Sequence, residues 1–354
     1  MIKSNYLHDA VDKLFMPTTT NGFWDEENKR IGESLYCDEN FNWEYHHENK
    51  KRYGLFAISF LLLAEELNSL NLIKFKDKIV DFNKKIMFEL DKLDQIDLTY
   101  GALLSVILAY KLDYIRIDES KYEDILIKTL ESIPKLYDNQ LFLCLIASKY
   151  FLMIKKSLQV EELVKKISLN LINSYTKNAF FNTGDPRGIY HQRRMYILWS
   201  LVICSTLFYK DEIDRIVQHC LKYSLQKCRD GKDSAFLWHP FIYLSKYQSL
   251  SHIPIFNYKS SKYLFECHQT FFCNAALLHQ KFIGTHDFSQ DIKDSMNWIF
   301  GENRIGKNLV EITKILIPQR IMTTDGELFV EGEKFKGSYE IGSYILALSF
   351  LVGK

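Results

Sequence analysis

The sequence predicts an all-α protein, an (α/α)6-type toroid of helical hairpins with a small β-hairpin decoration near the C-terminus. After about residue 45, long segments with apolar residues at helical spacing follow one another, separated by short polar turns. Strongly apolar segments alternate along the chain with charged, amphipathic ones. This alternation is typical of buried helices that pack against half-exposed ones.

Seven segments are apolar enough to be buried helices, and their starts lie roughly one helical hairpin apart. They are residues 53–67, 100–110, 140–153, 195–208, 236–244, 270–279 and 341–352. An open solenoid needs polar terminal helices, whereas the first and last of these segments are strongly apolar. The sequence therefore favours a closed ring, with an open solenoid and an irregular bundle as alternatives.

The remaining segments complete the predicted architecture. Charged amphipathic helices are predicted over residues 75–93, 119–133, 160–174 and 211–226. Two short β signals interrupt the helices, one over residues 113–118 and a hairpin over residues 327–334 that follows an Asp-Gly turn signal. Residues 1–354 are predicted to form a single toroid domain, and residues 1–45 an irregular segment that packs on the toroid.

Composition excludes several classes of protein. The chain has 354 residues, with 45 Lys and Arg against 44 Asp and Glu, so it lacks the basic surplus of a nucleic-acid binder. With 15 Gly and 6 Pro it is neither fibrous nor disordered. No apolar run reaches the roughly 18 residues of a membrane span, and residues 1–15 lack the apolar core of a signal peptide. We therefore expect a cytoplasmic protein that neither inserts into membranes nor binds nucleic acid.

Sequence motifs for cofactors and metals are missing too. The seven cysteines include no C-x-x-C pair, and no glycine-rich phosphate loop, H-E-x-x-H or G-x-S-x-G motif occurs. The sequence therefore predicts neither a cofactor nor a metal. It gives no indication of the oligomeric state.

Polar and aromatic residues collect at the starts of the predicted buried helices. If these helices all run in the same direction, as repeating hairpins require, their starts lie at one face and line one cavity. Such side chains suit a sugar ring, which has apolar C–H faces and a rim of hydroxyls; the alternative is a set of helix caps at the core boundary. The candidate sugar-binding residues here are His46, Tyr53, Tyr100, Trp238, His239, Gln269 and Tyr339.

Arg193 and Arg194 stand at the mouth of the very apolar segment that follows them. Two arginines in that position need anionic partners. Protein carboxylates such as Asp185 and Glu340 could supply these, or an acidic ligand could. In the second case, the two arginines form a substrate clamp for a uronate, sulfate or phosphate group on a sugar.

Glu340 is the strongest single candidate for acid or base chemistry, because it opens the last buried segment. A structural alternative is a carboxylate that stabilises a helix N-terminus. Hydrolysis of a glycosidic bond requires a second carboxylate across the sugar. The candidates for it are Asp185, Glu266, Asp97 and Asp25.

Lyases and epimerases use a different set of residues. They remove a proton beside a carboxylate with Tyr, His or Glu, while arginine holds the acid. Tyr190, His191, His268 and Tyr339 fit that role. The sequence leaves hydrolysis, elimination and epimerisation open.

A family resemblance covers about the last 60 residues. Residues 295–306, SMNWIFGENRIG, followed by YEIGSYILALSFL, resemble the C-terminal part of α/α-toroid carbohydrate-active proteins. In family 9 cellulases and related six-hairpin glycosidases, a G-x-N element after an apolar helix precedes a final inner helix that opens with Glu. The resemblance implies the toroid fold, with Glu340 as general acid. The paired aspartates, D-x-x-D, that position the water in those cellulases have no counterpart at the expected position.

The sequence thus predicts a carbohydrate-active enzyme, a glycoside hydrolase, lyase or epimerase, whose sugar or oligosaccharide substrate bears an acidic group. The alternatives are a non-catalytic helical-repeat binding or scaffold protein and a terpene-cyclase-like enzyme, although the latter's D-D-x-x-D and D-x-D-D runs are missing. The candidate catalytic residues are Glu340, His191, Tyr190, His268 and Asp185.

Overall fold

A computed structural model of the chain describes residues 3, 5–32, 34–37, 43–46, 52–90, 96–133, 139–185, 191–230, 235–237, 263–264, 266–312, 322–323 and 335–352. The chain divides into two compact units. We call residues 2–133, 141–165 and 335–354 the terminal unit, and residues 1, 134–140 and 166–334 the middle unit.

Helices dominate both units. The terminal unit contains α1 (Asn5–Phe15), α2 (Arg52–Asn68), α3 (Lys76–Leu90), α4 (Ile96–Lys111), α5 (Glu119–Ser132), α6 (Cys144–Ile154) and α13 (Ser338–Val352). Helix α7 (Leu158–Ser174) begins in the terminal unit and ends in the middle unit. The middle unit then contains α8 (His191–Cys204), α9 (Lys210–Lys227), α10 (Glu266–Phe282), α11 (Ser289–Ile299) and α12 (Leu309–Ile312).

Short strands form three small antiparallel sheets. Strand β1 (Trp24–Asp25) pairs with β2 (Arg30–Ile31), and β5 (Tyr263–Leu264) pairs with β6 (Met322–Thr323). The third sheet has the order β4-β3-β7, from β3 (Ser34–Cys37), β4 (Trp43–His46) and β7 (Phe335–Gly337). It therefore joins a segment near the start of the chain to the residues that lead into α13.

Most of the predicted helices are present. Six of the seven apolar segments are helical, and so are the four amphipathic segments. The amphipathic helices bury one face; in α3, for example, Ile79, Phe82 and Ile86 point into the core while Phe88 is exposed. The predicted alternation of buried and half-exposed helices is thus confirmed for these segments.

Two local predictions are wrong, and a third is wrong at its first two residues, which are the part of it that the structure describes. Residues 1–45 are not irregular, because α1 and strands β1 to β4 lie there, and α1 buries Leu7, Val11 and Leu14 at helical spacing. Residues 113–118 form no strand: Asp113 takes a left-handed conformation after α4, and Asp118 caps α5 by accepting hydrogen bonds from two backbone amides.

The third concerns the predicted helix over 236–244. Its first two residues, Phe236 and Leu237, are extended and form isolated bridges with Arg229 and Leu264. The rest of that segment, and the predicted hairpin over 327–334, lie outside the described residues.

Helices α2 and α13 run in the same direction and approach closely. Gly342 near the start of α13 faces Ala57 near the start of α2, where an added Cβ would lie 2.9 Å from the Ala57 Cα. Ser349 near the end of α13 accepts a hydrogen bond from Asn68, the last residue of α2. One contact joins the starts of the two helices and the other joins their ends, so the helices are parallel.

The same reasoning applies to α4. Gly101 near its start faces Leu55 of α2, and Lys111 at its end forms a 2.8 Å ion pair with Glu66. Helices α2, α4 and α13 are therefore three parallel buried helices of the terminal unit, and their N-terminal ends lie on the same side of that unit.

In the middle unit, α8 and α10 are also parallel. His191 at the start of α8 contacts the backbone carbonyl of His268, near the start of α10. One to two turns further along, the indole of Trp199 donates to the carbonyl of Phe271. Within each unit, the expectation of buried helices that share a direction is met.

We predict that Gly342→Ala destabilises the protein by about 1–3 kcal/mol, because the new methyl group forces two helix backbones apart. Gly101→Ala is the matched control: its new methyl group meets only the Leu55 side chain at 3.2 Å, and alanine is intrinsically favoured in a helix. Urea unfolding of both variants measures the difference. A Gly342→Ala protein as stable as the parent would contradict the close approach.

Candidate functional site

Glu340 lies in the first turn of α13 and is almost completely buried, with 1% of its surface exposed. Its carboxylate lies against the backbone of Gly337, where a Cβ would lie 2.2 Å from Oε2. The ring of Tyr53, at the start of α2, occupies the space beside it. Only glycine at 337 leaves room for this arrangement. The helix N-terminus also favours a negative charge at this position.

The β4-β3-β7 sheet positions this helix start. Ser34 of β3 pairs with Gly337 of β7 on one side and with His46 of β4 on the other. Gly337 and His46 therefore lie in one row across the sheet. Gly337 precedes Glu340 by three residues along the chain. The structure thus places the backbone of His46, the ring of Tyr53 and the carboxylate of Glu340 in one region of the terminal unit.

Tyr100 is also near this region but serves the core. Its side chain is 1% exposed, and its ring lies 5.4 Å from that of Phe56, one turn into α2. We therefore regard Tyr100 as a packing residue beneath the helix starts.

Two histidines meet at the helix starts of the middle unit. His191 and His268 are both buried, with ring centroids 5.9 Å apart. The His191 ring stacks on Phe236 at 4.6 Å, almost parallel to it. Its Nε2 lies 3.3 Å from the His268 carbonyl. In the described part of the chain, Nδ1 of His191 has no hydrogen-bond partner.

Burial keeps both histidines neutral. It lowers the pKa of His268 to about 3, even though a hydrogen bond with the backbone of Leu237 opposes the shift. Burial also lowers the pKa of His191 well below its ordinary value, and the positive charge of Arg194 adds to the effect. Both imidazoles therefore carry no charge at neutral pH and can accept or donate a hydrogen bond.

Gln269 positions the segment that carries Phe236. Its side-chain oxygen accepts a 3.1 Å hydrogen bond from the Phe236 amide, and its side-chain nitrogen lies 3.5 Å from the Phe236 carbonyl. The side-chain amide of Gln269 thus pairs with the backbone of Phe236 in the way a neighbouring strand would. Gln269, predicted to bind sugar, contacts the chain itself in this structure.

Arg194 is enclosed by protein groups. Its guanidinium donates to the carbonyl of Ala179 at 3.1 Å and to the Cys228 sulfur at 3.0 Å, and it lies over the ring of Tyr223. The side chain has no exposed surface, so it holds the loop before α8 rather than standing at a mouth. Arg193 is 8% exposed and follows His191 by two residues.

The other predicted site residues are distributed as follows. Asp185 is buried and follows Gly184, whose positive φ of 83° makes the predicted turn. Tyr339 lies in the first turn of α13. Asp25 accepts hydrogen bonds from the backbone and side chain of Asn28, so it holds a tight turn. Tyr190, Trp238 and His239 lie outside the described residues.

Three features of these sites were not predicted. They are the stacking of Phe236 on His191, the thiol of Cys228 beside Arg194, and the space that Gly337 leaves for Glu340. Only the last has a clear sequence signal, a glycine directly before the Ser-Tyr-Glu start of a helix. The other two join residues about 30 to 45 positions apart.

Metal-ligand clusters and membrane-spanning helices are absent from the described residues. These residues contain no group of three or more His, Cys, Asp or Glu side chains arranged to hold a metal ion. They also contain no helix with the length and apolarity required to cross a bilayer.

Solved structures of two unsaturated glucuronyl hydrolases and of a polysaccharide lyase share this fold. An unsaturated glucuronyl hydrolase specific for heparin matches with a TM-score of 0.64 at 10% identity, covering 98% of this chain and 97% of that one. The unsaturated glucuronyl hydrolase of Streptococcus agalactiae matches at 0.60 and 12% identity, covering 99% and 93%. A polysaccharide lyase matches at 0.61 and 10% identity, covering 99% and 97%.

These likenesses confirm the predicted fold class, because the matched enzymes are α/α toroids and the alignments span almost the whole chain. None of the three is a cellulase, so the resemblance to family 9 cellulases stays a prediction. No protein-family model and no curated protein matches the sequence.

We predict that the buried histidines make stability depend on pH. The unfolded chain protonates histidine below about pH 6.5, whereas the folded chain binds that proton at His268 only near pH 3. Stability is therefore complete above pH 6.5 and falls as the pH decreases toward 3, by roughly 1 kcal/mol per pH unit for one histidine.

Urea unfolding between pH 7.5 and 5 tests this dependence. His268→Gln reduces the slope of stability against pH, while His8→Gln, which changes an exposed side chain of α1, leaves it unchanged. Equal slopes in the parent and in His268→Gln would show that His268 is not a buried neutral imidazole.

Proposed function

We propose that the protein is a carbohydrate-active enzyme that breaks a glycosidic bond in an oligosaccharide containing a uronic acid. The observation that carries the proposal is the likeness in fold, over nearly the full length, to two unsaturated glucuronyl hydrolases and a polysaccharide lyase. The helix starts within each unit add support: in the terminal unit a buried carboxylate lies beside the Tyr53 ring, and in the middle unit two neutral imidazoles lie beside Phe236. Such groups suit recognition of a sugar acid.

Glu340 is the proposed acid or base. Its carboxylate is buried between Gly337 and Tyr53, so it lies in a region of low dielectric where a proton transfer is strongly affected by neighbouring groups. The β4-β3-β7 sheet and the close packing of α2 and α13 fix its position. General acid or base catalysis requires a carboxyl group held in this way.

In the middle unit, the proposed hydrogen-bonding or proton-transfer groups are His191 and His268, together with Tyr190. As neutral imidazoles, the two histidines can accept a hydrogen bond from a hydroxyl. Nδ1 of His191, which nothing in the described part of the chain hydrogen-bonds, is the atom best placed to do so. Asp185 remains the proposed second carboxylate for hydrolysis.

Arg193 is the proposed clamp for the substrate carboxylate. Arg194 keeps that segment in place through Ala179 and Cys228, so its contribution is positional. We keep Trp238, His239, Tyr339, Tyr53 and His46 as proposed sugar contacts. Gln269 contacts Phe236 and Tyr100 packs on Phe56, so we propose a structural role for these two residues rather than a direct sugar contact.

Ultraviolet absorbance distinguishes hydrolysis from elimination. An unsaturated uronate contains a double bond conjugated with its carboxylate. When hydrolysis releases this residue, its ring opens to a keto acid and the conjugated absorbance disappears. Elimination from a saturated uronate creates the same double bond, so the absorbance increases. Epimerisation leaves it unchanged and is detected by NMR.

We predict that Glu340→Gln lowers kcat at least about 100-fold, which is the usual contribution of a general acid or base. Glutamine keeps the size of the side chain, so the variant retains its fold and its affinity for the oligosaccharide. The measurement is turnover of unsaturated glucuronyl disaccharides and of intact glycosaminoglycans. Glu131→Gln, an exposed position on α5, is the matched control and keeps full activity.

Two results would contradict the proposal. Unchanged turnover in Glu340→Gln would remove this carboxylate from the reaction. Binding of the oligosaccharides by the parent protein, with no turnover of any of them, would identify a sugar-binding protein rather than an enzyme.

A further inference from the structure

A cavity of about 150 Å³ lies in the terminal unit, between the β1–β2 hairpin, the start of α2 and helix α3. None of its lining residues belongs to the predicted catalytic or sugar-binding set. Its floor is apolar and consists of Ile31, Leu55, Phe82 and Ile86. An engineered apolar cavity of about this volume holds benzene. The cavity therefore has room for a single six-membered ring.

The rim of the cavity is basic. Lys29 and Arg30 line it from the hairpin, and Lys85 lines it from α3, against a single carboxylate, Glu89. Three positive groups on a cavity with an apolar floor favour a ligand that has an apolar ring and one negative group. A carboxylate is the natural match, because arginine and lysine both donate charge-assisted hydrogen bonds to it.

In the described part of the chain, no buried carboxylate forms an ion pair with either lysine of the rim. Lys85 Nζ donates to the backbone carbonyl of Asn28, and in the part of the chain that the structure describes no carboxylate forms an ion pair with it. Lys29 lies 3.5 Å from Glu26, and both of these side chains are about half exposed. Surface pairs of this kind contribute little. Arg30 already forms an ion pair through its Nε, 3.5 Å from the carboxylate of the buried Asp25, so the two lysines are the principal cations for a ligand.

Hydrogen bonds within the turn, and one from α3, hold the hairpin at the edge of the cavity. Asp25 accepts hydrogen bonds of 2.8 and 2.9 Å from the amide and side chain of Asn28. Two lysines tie the turn to α3, because Lys78 forms a 3.0 Å ion pair with Glu26 and Lys85 binds the Asn28 carbonyl. Preorganised sites lose little entropy on binding.

We propose that this cavity is a binding site for a six-membered ring that carries one carboxylate, with the ring on the apolar floor and the carboxylate between Lys85 and the hairpin cations. A uronic acid and an aromatic carboxylate share this chemistry. The site is separate from Glu340, and its occupancy does not require turnover.

Isothermal titration of the full chain with sodium glucuronate and with sodium benzoate tests the proposal, with glucose as the uncharged control. We expect at least one of the two carboxylates to bind and glucose not to bind. The carboxylate that binds more tightly shows whether the site takes a uronic acid or an aromatic carboxylate. Lys85→Gln and Lys29→Gln each weaken that binding about tenfold, the loss expected for one charge-assisted hydrogen bond. Lys84→Gln, an exposed neighbour that does not line the cavity, leaves it unchanged.

Three results would overturn the proposal: neither carboxylate binds, glucose binds as well as glucuronate, or Lys85→Gln and Lys29→Gln leave the affinity unchanged. Thermal unfolding of each variant confirms that it is folded. The same titration on Glu340→Gln separates this site from the proposed active site. Loss of carboxylate binding in that variant would assign the ligand to Glu340, whereas loss of turnover with binding intact keeps the two sites distinct.

Discussion

The close approach of α2 and α13 is the contact on which the terminal unit most depends. Gly342 lets the two helix backbones meet at Ala57, and the helices run parallel from there to their ends. Because their N-terminal ends lie on the same side, Glu340 comes to lie beside Tyr53. A larger residue at this crossing would separate the helices and displace the carboxylate. The position of the proposed acid or base is thus a consequence of helix packing.

Buried polar groups play the corresponding part in the middle unit. Arg194 and Gln269 bond to backbone groups of loops and extended segments, whose polar atoms would otherwise be buried without partners. Gln269 holds Phe236 against His191. The stacked Phe236 ring fixes the imidazole of His191 without a charged partner. The interior therefore uses its polar side chains to position neutral imidazoles. Their low pKa values follow from the same burial.

Sequence reasoning found the helices because apolar periodicity over a dozen or more residues is a strong signal, and the fold class follows from it. It singled out Glu340 as a candidate because a carboxylate at the start of a very apolar helix is unusual, and the structure buries that carboxylate in the first turn of α13. It missed α1, although Leu7, Val11 and Leu14 recur at helical spacing, because the segment is short and flanked by polar residues.

The pairing of β3 with β7 brings together strands about 300 residues apart, and three or four residues carry no register signal strong enough to predict that. The basic cavity could not be predicted from the sequence either, because it combines a turn with one face of a distant helix.

A crystal structure of the Glu340→Gln variant with an unsaturated glucuronyl disaccharide most directly tests whether Glu340 is the acid or base of a sugar site. If Glu340 is the acid or base, a sugar ring lies within contact distance of the substituted side chain and of Tyr53. A disaccharide bound in any other place, with these residues untouched, would contradict it.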